Sequence, residues 1–316
     1  MIGTDIDTAV RLLQEGEVVA IPTETVYGLA GNALNQDTVS TIFSVKQRPS
    51  FDPLIIHVGR VSDISHYVQE VPPLLRKLAE AFMPGPLTLL LDKKLIIPDL
   101  VTAGSPRVAV RVPGHPVALE VLTKLNFPVA APSANPFGYI SPTTAAHVDQ
   151  QLGQRIPYIL DGGACTVGVE STIVGMENDR PTIFRKGGLS VESIEAHIGP
   201  VVVREYSTSN PDAPGMLKSH YAPKVPVVLG KPEDVLERYG GQAVGVIRFR
   251  EKTVGIPENQ QLILSASGDY REAARRLFAG MRYLDQLDLD VIIAELLPEE
   301  DLGQAINDRL RRAAMR

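Results

Sequence analysis

Ile21-Pro22-Thr23-Glu24-Thr25-Val26-Tyr27-Gly28-Leu29 carries a short apolar strand, begun at Val18, straight into two threonines, a glutamate, a tyrosine and a glycine. Read as extended chain, Thr23 and Thr25 stand two residues apart and send both hydroxyls to one side. Gly28 permits a sharp backbone turn or the close approach of a ligand. Polar groups at the mouth of a buried strand must be satisfied. Two arrangements meet that need: a strand end closed by hydroxyl-to-backbone bonds, or the lip of a binding site.

Working outward, a helix precedes this strand. It starts at Thr4 or Asp5, stops at Gly16, and turns Ile6, Ala9, Val10 and Leu13 inward. Helical periods follow at about 37–45, 73–82, 116–125, 143–151 and 191–197. Strand patterns lie at about 54–58, 87–91, 108–112, 128–131, 158–160, 170–175 and 182–185. Helices mixed with many short strands predict an α/β domain on a mixed sheet.

The chain has 316 residues, enough for two domains. It is 44% hydrophobic and 22% charged, the balance of a globular protein. A net charge of −6 gives no sign of a nucleic-acid coat, although a local basic cleft stays open. The single cysteine, Cys165, rules out an intrachain disulfide and a cysteine-cluster metal site, and fits a reducing cytoplasm. The first residues are acidic and do not resemble a signal peptide, and no stretch reaches membrane-spanning length.

Residues 204–226 are rich in Pro, Ser, Asn and Gly and have no period, so they read as a linker or a long loop. They also carry Met216, Lys218, His220 and Tyr221, which a spacer does not need. Beyond them, strands near 225–230, 243–249, 261–264 and 291–294 alternate with helices near 232–239, 269–287 and 301–313. That order predicts a small parallel three-layer domain, without a dinucleotide fingerprint. Arg309, Arg311, Arg312 and Arg316 crowd its last helix and read as a solvated face that complements the helix dipole.

Several strands of the first domain share one oddity. His57 lies opposite Leu54, Ile56 and Val58, and Arg111 opposite Val108, Val110 and Val112. Arg185 shares a face with Ile183, and Ser171 leads another strand. Singly, a strand histidine or arginine is a satisfied core or edge residue. Together they predict a polar concavity on a rigid sheet. Lys46 and Arg48 close the second helix, where the dipole favours cations, and stand at the rim of the same cavity. Pro132-Ser-Ala-Asn-Pro-Phe-Gly138 follows a buried strand, and its Ser133 and Asn135 have the spacing that puts both on one side. That loop is either a Ser/Asn turn or a seat for a base, ribose or phosphate. Asp161-Gly-Gly163 reads as a turn, and Cys165 beside it as a packed residue rather than a nucleophile. Cations and hydroxyls without a nucleophile point to catalysis by positioning and charge stabilisation, as in phosphoryl and nucleotidyl transfer.

PTETVYGL, KQRP with PLIIHV, PGPLT, VAVRVPGHP, APSANPFG, GVESTIV and RKG, in this order over about residues 10–200, resemble the YrdC-like domain of the L-threonylcarbamoyladenylate synthases. HYAP in the linker and the trailing domain resemble the long, two-domain form of that family. The resemblance implies a YrdC-like twisted mixed sheet with a concave ligand-binding face over residues 1–203. It further implies a linker and active-site lid over 204–226, and a smaller Rossmann-like parallel α/β/α domain over 227–316. It implies a nucleotidyltransferase that makes L-threonylcarbamoyl-AMP and pyrophosphate from L-threonine, bicarbonate and ATP with Mg²⁺. The product serves N6-threonylcarbamoyladenosine synthesis beside the tRNA anticodon, with a tRNA threonylcarbamoyl transferase as downstream partner.

By the same resemblance Thr25, His57, Arg111, Ser133 and Ser171 hold threonine. Lys46, Arg48, Asn135, Thr143 and Arg185 hold ATP, with Asp52 contributing backbone, Arg107 at the same cleft and Tyr221 folding over the nucleotide. Lys46, Arg48 and Arg111 are the implied catalytic cations. A different class, an RNA-binding module using a basic concave sheet, is disfavoured by the acidity and the lack of stacking aromatics on strands. A carbamoyl-transferring maturation enzyme would need zinc-binding cysteines that this chain lacks.

Overall fold

The structure, a computed structural model, describes residues 1–204 and 220–315. Met216 and Lys218, and most of the expected lid, lie outside the described residues. Among the described residues no helix is long and apolar enough to cross a membrane.

Eleven of the described strands form one sheet. They are β1 (Ile2–Gly3), β2 (Val19–Ile21), β3 (Gly28–Asn32), β4 (Ile55–His57), β5 (Leu87–Asp92), β6 (Arg107–Arg111), β7 (Val129–Ala130), β8 (Tyr158–Leu160), β9 (Thr172–Glu177), β10 (Arg180–Arg185) and β11 (Val202–Val203). Their order is β1-β8-β2-β3-β7-β4-β6-β5-β9-β10-β11, with parallel and antiparallel neighbours mixed. Composition does not mark β3, which holds two glycines. Gly31 faces the helix Gln36–Lys46, where an added Cβ would come within 2.6 Å of the Thr38 methyl.

Alternation sorts the strand residues between the two faces. Leu54, Ile56, Val108, Val110, Val174 and Ile183 build the main core. The helices Gln36–Lys46 and Pro73–Phe82 contribute Ile42, Phe43, Leu75 and Leu78 to it. Ile55, Leu90, Ala109, Ile173 and Phe184 cluster on the opposite face. Further along that face, Ile6–Gln14 and Pro116–Thr123 cover β2, β3, β7 and β8. Side-chain caps start these helices: Asp5 accepts from Asp7 N, and Asn35 from Asp37 N and Thr38 N.

The second domain is a four-stranded parallel sheet of β12 (Val227–Leu229), β13 (Val244–Arg248), β14 (Gln261–Ile263) and β15 (Val291–Ala294), in the order β12-β15-β13-β14. Helices Tyr270–Leu284 and Gly303–Ala313 cover one face, and Pro232–Val235 with the following 3₁₀ turn covers the other. The core on the first of these faces also takes in Val26, Ile140 and Val169 from the large domain. The two domains therefore share an apolar core, with buried polar contacts beside it such as Arg282 to Ile140 O and Ser141 O.

The last helix departs from the expectation of a solvated arginine face. Arg309 and Arg312 are 0% and 1% exposed, and only Arg311 of the described three is partly open, on Glu299. The helix buries that face against the large domain, where polar partners are already waiting. Arg316 lies outside the described residues.

Candidate active site

One cavity opens on the polar face of the large sheet. Thr25, Val26, Arg48, Ile55, His57, Arg111, Ser133, Glu170, Ser171, Arg185, His220 and Tyr221 are among its lining residues. Register explains the convergence. His57 pairs with Arg111 across the parallel β4–β6 ladder, so both side chains point to one face.

Arg185 reaches that face by a different route. Strict alternation would place it with Ile183 in the main core. A bulge leaves Phe184 as the extra residue, so Ile183 pairs with Val174 while Arg185 pairs with Ile173. That single extra residue turns the guanidinium onto the cavity side.

The stretch after β2 is a turn and not a continuing strand, since β2 ends at Ile21 and β3 resumes at Gly28. Thr23 Oγ1 accepts from the backbone N–H of Thr25 and Val26, donates to Val26 O, and lies 2.8 Å from Thr25 Oγ1. The two hydroxyls do meet, through the turn rather than through strand period. Gly28 is needed for close approach: an added Cβ would sit 3.1 Å from Ala131 Cβ and 3.4 Å from Ala131 O. The 131–133 loop docks there by a bridge between Gly28 and Ser133. The Tyr27 hydroxyl donates to Gly163 O (2.7 Å), which ties the 161–163 turn to the hairpin.

Each guanidinium is held through its Nε and Nη2. Arg111 Nη2 pairs with Glu24 Oε1 at 2.6 Å, and its Nε donates to Gly85 O. Arg48 pairs with the Asp52 carboxylate at 2.9 Å and donates to Asp52 O and Pro53 O. Arg185 donates from Nε and Nη2 to Ser171 O, and from Nη2 to Ser171 Oγ. Burial lowers the Arg185 pKa to about 10, which leaves it charged at neutral pH. Burial, aided by the charge of Arg111, lowers His57 to about 3, so its imidazole is neutral in the cavity.

Five expected site residues stand outside the lining. Lys46 is turned away from the rim and donates to Ser133 O (2.5 Å) and Asn135 O (2.6 Å). Asn135 does not share a side with Ser133. A tight turn bonds Asn135 N to Ser133 O, and the Asn135 amide donates to Pro136 O and Tyr139 O. Asp52 is the counter-ion of Arg48, so its side chain has a role where only backbone was expected. Thr143 is buried beside His147, its Oγ1 3.3 Å from Nδ1. Arg107 lies at the other end of β6 from Arg111, over the Phe184 ring at 5.0 Å. Cys165 is buried, and that burial pushes its thiol up to about 12.

Motif and period do not mark Glu24, Glu170 and His220 as binding residues. Glu24 sits inside the quoted stretch, and only the turn brings it to Arg111. Glu170 precedes Ser171 and accepts from the Ser141 hydroxyl (2.6 Å) and from Arg309 of the last helix. Burial raises its pKa, but Arg309, Arg185 and Ser141 outweigh burial and hold it below the usual carboxylate value. Over the cavity, His220 packs edge-on to Phe137 and Tyr221, and Tyr221 stacks on Phe278 with Arg309 and Arg312 against its ring. Tyr221 has φ 63°, a conformation that costs a bulky residue about 1–3 kcal/mol.

Size alone does not select the site. A larger cavity of about 620 Å³ lies at the carboxyl ends of the small parallel sheet. Its buried arginine, Arg248, is paired with both Glu233 and Glu295. Among the described residues no group of three or more acidic, His or Cys side chains could hold a metal ion. Near the active cavity Glu24, Asp52 and Glu170 each face an arginine. These residues do not form a cage for a resident metal.

Residues 11–187 match the family model described as telomere recombination, and residues 189–315 the one described as the C-terminal domain of threonylcarbamoyl-AMP synthase. The threonylcarbamoyl-AMP synthase of Pyrococcus abyssi is 39% identical over 318 residues, covering 98% of this chain and 94% of its own. That of Bacillus subtilis is 42% identical over 323 residues, covering 98% of this chain and 92% of its own. The chain belongs to the threonylcarbamoyl-AMP synthase family. The synthase superposes on the crystal structure of P. abyssi Sua5 complexed with L-threonine with a TM-score of 0.91 at 38% identity, over 98% of this chain and 94% of that one. Its large domain also shares its fold with part of HypF, at 21% identity and a TM-score of 0.52. The synthase is a nucleotidyltransferase that makes threonylcarbamoyl-AMP from L-threonine, bicarbonate and ATP for the N6-threonylcarbamoyladenosine modification of tRNA.

Proposed function

We propose that the cavity seats L-threonine and the reacting phosphates together, and that three converging guanidinium groups carry the reaction. The supporting observation is that Arg48, Arg111 and Arg185 line one cavity with four hydroxyl-bearing or imidazole side chains, Thr25, His57, Ser133 and Ser171. Arg111 takes the threonine carboxylate, and Thr25, His57, Ser133 and Ser171 surround the amino acid. A neutral His57 can accept a hydrogen bond without repelling the substrate ammonium. Arg48 and Arg185 face the nucleotide phosphates, and ATP enters as its Mg²⁺ complex. Lys46, Asn135 and Thr143 act behind the cavity, by holding the 133–144 segment in place.

The chemistry suits such a cavity. The threonine ammonium gives up a proton to solvent, the free amine attacks the carbon of bicarbonate, water leaves, and an N-carboxylate forms. An oxygen of that carboxylate attacks the α-phosphorus of ATP, and the bond to pyrophosphate breaks. Both partners are anions, so fixed cations lower the barrier by offsetting their repulsion. The carbamate and the mixed anhydride both hydrolyse, which makes the Tyr221 cover useful.

We further propose the division into a catalytic domain 1–203, a lid 204–226 and a C-terminal domain 227–316. A tRNA-modifying transferase consumes the product. The test is pyrophosphate release from MgATP and bicarbonate with each amino acid in turn. Release with L-threonine far above L-serine is expected, together with a loss of at least about a hundredfold in Arg111→Ala, the scale of removing one charged anchor. Full activity in Arg111→Ala would reject the assignment.

A further inference from the structure

A carboxylate in the wall of this cavity is out of place, because every substrate presents a negative charge to it. Glu170 is such a group. It lines the cavity, is 7% exposed, and is held below its ordinary pKa, so it is ionised at neutral pH. Its counter-charge comes from the other domain. Arg309, 139 residues later on the helix Gly303–Ala313, reaches Glu170 Oε2 with Nε at 3.1 Å and Nη2 at 3.0 Å. The Arg309 side chain is completely buried, and its Nη1 donates to Lys186 O and to Asp308.

We propose that Arg309 is a positioning residue of the reaction, through which the C-terminal domain neutralises Glu170 and so keeps the cavity receptive to anions. With Arg309 in place the Glu170 charge is directed away from the cavity, into a two-bond fork. Without it, only the nearby charge of Arg185, itself proposed for the phosphates, would offset a buried carboxylate that stands beside the bound carboxylate, carbamate and phosphates. Ser141 holds only the other oxygen, at 2.6 Å, and carries no charge. The C-terminal domain is then a part of the binding site, contributing one charge from a fully buried position.

The inference rests on the substrate roles proposed above, and one experiment separates the two. KM for ATP and for L-threonine, and kcat, are measured by pyrophosphate release in the full-length protein and in Arg309→Met, Glu170→Gln, Arg309→Met/Glu170→Gln and Arg111→Ala. Expected for Arg309→Met is a rise of about tenfold or more in both KM values, with kcat changed by less than about threefold. The double variant returns to within about threefold of Glu170→Gln alone, because the charge that Arg309 balances is gone. Unchanged KM values in Arg309→Met overturn the proposal, and so does an equal rise in single and double variants, which marks a purely structural role. If Arg309→Met does not fold, Glu170→Gln against the double variant decides: equal KM values support the proposal and a further rise overturns it. Full affinity in Arg111→Ala sinks the substrate roles themselves. Lost affinity there, with none lost in Arg309→Met, sinks only the inference.

Discussion

At the scale of single residues, the site depends on side chains whose partners are backbone carbonyls. Lys46 is the sharpest case. Its ammonium is buried, its pKa is pushed well down by burial and by Arg48, and it still bridges Ser133 O and Asn135 O. Lys46→Met removes both donors and leaves two carbonyls unsatisfied. We expect a loss of about 2–3 kcal/mol in chemical denaturation, and a fall in activity through the displaced Ser133. Lys46→Arg is not expected to rescue either, since a planar fork does not fit a site built around a point charge. A lysine at the end of a helix reads equally well as a dipole partner or a phosphate ligand, and only the folded loop shows that carbonyls claim it.

At the scale of elements, the decisive features are those that break a period. The bulge at Phe184 moves Arg185 from the core face to the cavity face. The turn between β2 and β3 moves Glu24 against Arg111. Alternation alone placed His57 and Arg111 correctly, because β4 and β6 are regular parallel neighbours. It misplaced Arg185, because one inserted residue shifts everything after it to the other face. Gly28 tests the docking of the hairpin on the 131–133 loop. Gly28→Val would drive its Cβ against Ala131 and push the 131–133 loop away. The expected outcome is a cost of about 1–3 kcal/mol in thermal or chemical unfolding, with KM for L-threonine raised as Ser133 shifts. An unchanged KM would place Ser133 outside the threonine site.

At the scale of the whole molecule, buried neutral histidines and a shared interdomain core set the behaviour. Burial pushes His57 to about 3, His147 to about 4 and His220 well below 6.5. Each is neutral in the folded protein and takes a proton once unfolded below pH 6.5. The unfolded state then binds more protons, so stability is present above pH 6.5 and falls with the pH towards the folded values. His57 and His220 together are expected to cost about 4 kcal/mol between pH 7 and pH 5, measured by denaturant unfolding at each pH. A flat profile would show that these rings are not buried as neutral groups. Arg282 ties the domains: it donates to Ile140 O and Ser141 O and lies over the Tyr139 ring, while Asp285 accepts from Tyr139 and Val225. Arg282→Met is expected to lower stability by about 2–4 kcal/mol and to weaken activity without touching substrate, checked by unfolding and by pyrophosphate release. By itself the sequence determined the helices, the regular strands, the mixed and parallel sheets and the motifs that name the family, because period and local chemistry act between near neighbours along the chain. The tertiary structure alone decided that the last helix buries Arg309 and Arg312, that Arg309 meets Glu170 and that Tyr221 is pressed between Phe278 and those arginines. The reason is physical: the free energy of a charged side chain depends on the group it meets when desolvated, and for Arg309 that group, Glu170, lies 139 residues away in the chain.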